Sequence, residues 1–154
     1  MRKLVWLVLC VVVLAACSKP GVRSPEWVTA EIMRDLQPAD AYVLAEEAEV
    51  SALRRPLASI ANRIHRISSG MLGREIVLVQ SRDDVVFTDA DAVAPLEDMA
   101  RQRAQTYGME YTVTTSAFYA AMIFAKDEEA VHDIAAICRR VFIGQPRPTL
   151  QQED

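Results

Sequence analysis

The chain has 154 residues, 51% of them apolar, with 17 basic residues against 21 acidic ones and a formal net charge of −4. That length supplies one domain with one core. The acidic balance argues against a nucleic-acid partner, because contacts to a phosphate backbone draw on clustered Lys and Arg.

Met1-Arg2-Lys3 forms a short basic head, residues 4–14 are unbroken apolar sequence, and Leu14-Ala15-Ala16-Cys17 places a cysteine behind two small residues. This is the layout of a secretory signal peptide over residues 1–16. The apolar run is too short for a bilayer span, which takes about 20 residues. Leu14, Ala15, Ala16 and Cys17 resemble the lipobox of bacterial lipoproteins. The resemblance implies a diacylglyceryl group on the Cys17 thiol, cleavage before that residue, and an N-acyl chain on the new amino terminus. Ser18 stands where an Asp would hold such a protein at the inner membrane, so the resemblance implies the periplasmic face of the outer membrane. Cys10, behind bulky Leu7-Val8-Leu9, is leader filler.

Residues 17–24 read as a tether; extended, residues 18–23 reach roughly 20 Å at about 3.3 Å each. The remaining chain reads as a single domain over 25–144. A helical part is expected over 25–73 and a sheet-bearing part over 74–144, with a disordered tail at 145–154. Ser24-Pro25-Glu26 is a helix start with Val28, Ile32 and Leu36 on one face, ended by Gln37-Pro38. Residues 39–50 are helical in composition. Pro56 fits the first turn of a new helix from Leu53, in which Leu57, Ile60, Ile64, Ile67 and Met71 recur at steps of three and four.

Residues 76–79 and 85–88 read as a hairpin turning at Ser81-Arg82-Asp83-Asp84. Val93, Leu96, Ala100, Ala104 and Tyr107 mark a helix stopped by Gly108. Residues 110–114 alternate as a strand. Residues 118–125 are apolar on both faces, as in a central strand, with a helix as the alternative. Asp127-Glu128-Glu129 opens a helix that turns Val131, Ile134, Ala135, Cys138 and Phe142 inward. The fold class is α+β: N-terminal helices, then a small, mainly antiparallel sheet with two packed helices, arranged as ββα-ββα over 75–108 and 109–144.

Candidate chemistry is sparse. Asp83, Asp84, Asp89 and Asp91 lack the ordered spacing of a calcium loop and read as turn and helix-cap residues. His65 and His132 each stand alone, without the i+4 partner a zinc site uses. Ser68-Ser69-Gly70 is not a nucleophile elbow. Cys138, on an apolar helix face, reads as a buried inert thiol. No metal and no cofactor are implied beyond the lipid on Cys17. Arg54, Arg55, Arg63 and Arg66, with His65 among them, form the nearest approach to a basic patch, balanced by Glu46, Glu47 and Glu49.

The expected function is that of a lipid-anchored protein-binding or assembly accessory module of an envelope machine, such as a secretion, conjugation or pilus system. Arg55, Arg63, Arg66 and Trp27 are the candidate partner-binding residues, with Tyr42 and the 57–71 helix face beside them. An inhibitor or exclusion lipoprotein shares the same features. A lipid-anchored hydrolase would draw on Asp84, Asp91 and His132.

Overall fold

A computed structural model of the chain describes residues 22–45 and 47–145, with the backbone alone at 47–49. The leader, the lipobox and the tail after residue 145 lie outside the described residues. Helix α1 spans Pro25–Asp35, followed by a 3₁₀ turn at Ala39–Ala41, strand β1 at Val43–Leu44 and helix α2 at Glu47–Leu57. Two ββα units follow. The first is β2 (Ala61–Ser69), β3 (Arg74–Ser81) and α3 (Ala90–Tyr107); the second is β4 (Glu110–Thr115), β5 (Tyr119–Ala125) and α4 (Glu128–Phe142).

Local chemistry fixes the helix ends. The Ser24 hydroxyl accepts the Trp27 N–H at 3.2 Å, with Pro25 in the first turn. Asp89 caps α3 through the Asp91 N–H at 3.1 Å, and Asp127 caps α4 through the Ala130 N–H at 2.7 Å. Each side chain satisfies a donor that the first turn leaves unpaired. Gly108 closes α3 in the left-handed region at φ 61°, returning its N–H to the Ala104 carbonyl. A residue with a Cβ would be strained there.

The sheet is antiparallel throughout, in the order β1-β2-β3-β5-β4. Two helices cover each face, giving three layers. On one face α1 and α4 bury Ile67, Ile76, Leu78, Ala121 and Ile123. On the other, α2 and α3 bury Ile64, Val77, Val79, Ala120, Met122 and Phe124. The central strands β3 and β5 therefore need apolar residues on both sides, and all of β5 is buried.

Three expected elements differ. Residues 39–50, helical in composition, divide into the 3₁₀ turn, strand β1 and the start of α2. Residues 53–71 do not form one helix: α2 ends at Leu57 and 61–69 is strand. In a strand, residues three apart point to opposite faces. Ile64 therefore enters one core and Ile67 the other, and a sheet covered on both sides produces the spacing of an amphipathic helix. Pro56 accordingly lies in the last turn of α2 rather than in a first turn. Residues 85–88 form no strand; β3 pairs with β2 and β5, and Phe87 is buried from a loop with its N–H on the Ala117 carbonyl. The first ββα unit thus begins at residue 61 instead of 75.

Candidate functional site

The arginines expected to form one patch are divided by the sheet. Arg63 and Arg66 are three apart on β2 and project to opposite faces. Arg55 is exposed in the last turn of α2. Arg54 and Arg63 line a hollow of about 350 Å³ with Ala58 and Asn62. Arg66 lies on the α2–α3 face, opposite to Arg63, and gives its Nε to Glu75 Oε1 at 3.0 Å. Arg66 is therefore a structural ion-pair member. The patch fails because its members belong to a helix and a strand rather than to one helix.

Glu75, almost buried on β3, is the centre of an ion triad that the sequence reading missed. Arg103 Nη2 from α3 lies 2.9 Å from both of its carboxylate oxygens, sharing Oε1 with Arg66. The Arg103 guanidinium also lies 5.2 Å from the Tyr107 ring centroid and 5.8 Å from that of Phe124. A comparable fastening joins α1 to α4, where Arg140 Nη2 reaches Asp35 Oδ2 at 2.7 Å. In sequence, Glu75 heading the apolar run of β3 is the one signal that could have pointed to its partners.

Other candidates settle into structural duties. Thr29 Oγ1 donates to the Pro25 carbonyl at 2.7 Å and lies 2.7 Å from His65 Nδ1. A hydroxyl has one proton to give, so His65 Nδ1–H is the donor of that second bond. Tyr42 is buried, its hydroxyl receiving Arg74 Nη1 at 3.2 Å, and offers no contact surface. Arg82 Nε pairs with Asp84 at 3.3 Å in the turn after β3. His132 is exposed on α4, 3.5 Å from Glu128, whereas Asp91 belongs to α3 across the sheet. The hydrolase set Asp84, Asp91 and His132 is thus not brought together. Burial pushes the Cys138 thiol up to about 12. Among the described residues no group of three or more His, Cys, Asp or Glu side chains is placed to hold a metal ion.

Two surfaces remain. Trp27 lies in a groove of about 360 Å³ between α1 and the C-terminal end of α4, with Arg23, Glu31, Arg34 and Arg140. The Arg23 guanidinium stacks over Trp27, 3.9 Å from the ring centroid. The second surface is the outer edge of β4, the last strand of the sheet. The Ser116 N–H bonds the Tyr119 carbonyl at 2.7 Å, which sets the phase of the β4–β5 ladder. Alternation then directs the backbone of Glu110, Thr112 and Thr114 toward β5 and that of Tyr111, Val113 and Thr115 outward. Beyond that edge no further strand follows among the described residues. The strand carries Glu110 as its one charged residue, with no proline and an unshifted register, so it lacks the usual protections of an edge.

The protein is thus an α+β domain of three layers with an open sheet edge at β4 and a basic groove between α1 and α4. No family model, curated protein or solved structure matches the chain. No described helix is long and apolar enough to cross a membrane.

Proposed function

We propose that the protein is a lipoprotein, held on the periplasmic face of the outer membrane by acyl chains on Cys17, and that it serves as a protein-binding accessory of an envelope assembly. The observation that carries the binding role is the β4 edge. It offers the outward amides and carbonyls of Tyr111, Val113 and Thr115 to an added strand, the mode in which main-chain hydrogen bonds supply affinity. Its β-branched residues suit that pairing. The Leu14-Ala15-Ala16-Cys17 leader supports the address, and machines of the secretion, conjugation or pilus kind are the class of partner that fits it.

Two substitutions test the reading separately. Cys17→Ser should abolish acylation and release the protein from the outer-membrane fraction, and globomycin should leave the precursor uncleaved. Val113→Pro removes an outward N–H and leaves the β4–β5 ladder intact. Val113→Pro should keep the fold and the acyl chains yet lose the envelope proteins that co-purify with the wild-type chain. Unchanged fractionation of Cys17→Ser would sink the anchor, and an unchanged capture by Val113→Pro would sink the edge.

A further inference from the structure

The groove between α1 and α4 lies where the chain enters the folded body, and its position relative to Cys17 is constrained. The Tyr119 hydroxyl donates to the Arg23 carbonyl, and the Arg23 guanidinium sits between the Trp27 ring and Gly144. A Cβ at Gly144 would come within 2.9 Å of Arg23 Nη2, so the absence of a side chain there leaves room for the guanidinium. The body is therefore firmly held from Val22 and Arg23 onward. From Cys17 to Arg23 the chain can reach about 20 Å at most, whereas a body of this size is roughly 35 Å across. A bilayer holding Cys17 cannot face the far side of the protein.

The surface at that entry point is suited to lipid. Arg140 and Asp35 neutralise each other at the groove floor, with side chains 16% and 3% exposed. Wet charge at the rim comes from Arg23 and Arg34 against Glu31, which pairs with Arg34 at 2.5 Å. Among the described residues that line the groove, three arginines thus face Glu31 and Asp35, a net basic lining on a chain whose net charge is −4. Trp27 lines the groove, and Ile143, 64% exposed, follows the end of α4 beside it. Tryptophan, arginine and an exposed aliphatic side chain are the composition that settles at a headgroup layer.

We propose that this groove rim is the face the protein lays on its membrane, with Arg23 and Arg34 on anionic lipid headgroups and Trp27 and Ile143 at headgroup depth. The proposal rests on the lipidation of Cys17 given above. The sequence holds two tryptophans, Trp6 in the leader and Trp27, so Trp27 is the single tryptophan of the processed chain.

The acylated full-length product is reconstituted in vesicles of phosphatidylcholine and phosphatidylglycerol whose acyl chains are brominated near the headgroup, a quencher of nearby indole. Trp27 fluorescence should be quenched, more so than in phosphatidylcholine alone. Arg23→Gln with Arg34→Gln should abolish the preference for anionic lipid, each arginine contributing about five-fold in partitioning. In a Trp27→Phe background, Tyr107→Trp on the opposite layer should stay unquenched. The mass of the same preparation reports the acyl chains independently. An acylated protein with Trp27 unquenched, or with Tyr107→Trp quenched as strongly, overturns the proposed face and leaves the anchor standing. A protein with no acyl chain overturns both.

Discussion

Glu75 carries its charge into a nearly buried site because guanidiniums from β2 and α3 meet it there, 3.0 Å and 2.9 Å away. Taking such ions out of water is costly, and the triad is tolerable only while every member is paired. Glu75→Gln would remove the carboxylate charge that the Arg66 and Arg103 guanidiniums share. Their side chains are 24% exposed, so water relieves part of the penalty. A loss of about 2–3 kcal/mol is expected, below the full range for a dry broken pair, and urea unfolding would measure it. Cys138 supplies a pH signature of the same residue scale. Its folded thiol is pushed up to about 12 by burial, with Tyr119 raised to about 12 for the same reason, while an unfolded cysteine titrates near 8.5. Below the unfolded value both states hold the proton and stability is intact. As pH rises between the two values the unfolded chain releases the proton and the folded chain keeps it, so stability falls by up to about 1.4 kcal/mol per pH unit. Cys138→Ala should flatten that decline between about pH 9 and pH 10, while the decline should persist in a protein substituted at exposed positions only.

Among the elements, α1, α3 and α4 were legible because capping residues and one apolar face agree at each. Ser24, Asp89 and Asp127 all cap as their side chains allow, and β5 reads as a central strand because it is apolar on both sides. Strand β2 was not legible. Its apolar residues serve two cores at once, so Ile64 and Ile67 stand three apart, and the period-two alternation of a one-sided strand is lost. The same two-sidedness hid the candidate site. Arg63 and Arg66 look like neighbours on a helix and are separated by a sheet, while the partners of Glu75 lie nine and 28 residues away in the chain. The outer edge of β4 depends on strand order, which local sequence does not encode. Mutation separates the strand from the helix. Ile67→Ala empties a fully buried site and should cost about 3 kcal/mol. Met71→Ala, at a residue 78% exposed in the β2–β3 turn, should change stability by less than about 0.5 kcal/mol. A helix over 57–71 would put both residues in one core, and comparable losses would restore that reading.

At the scale of the whole molecule, the sheet is the shared wall of two apolar layers, and neither layer is complete without it. Strand β3 gives Ile76 and Leu78 to the α1–α4 side and Val77 and Val79 to the α2–α3 side. Strand β5 divides its residues in the same way. Pulling either strand out would therefore empty both cores, which ties the two helical layers into one cooperative unit. Direct polar links across to the sheet reinforce this: Thr29 with His65 on one side, Arg103 with Glu75 on the other. A body of this construction should unfold in one step. Trp27 reports the α1–α4 layer. Tyr111→Trp in a Trp27→Phe background reports the α2–α3 layer, where Tyr111 packs half-buried against the core. Once each curve is placed on the scale set by that variant's own circular-dichroism midpoint, the fluorescence transitions should coincide. A fluorescence midpoint displaced from the circular-dichroism midpoint of the same variant would mean that one helical layer leaves the sheet first. The wall of β3 and β5 would then divide the molecule instead of joining it.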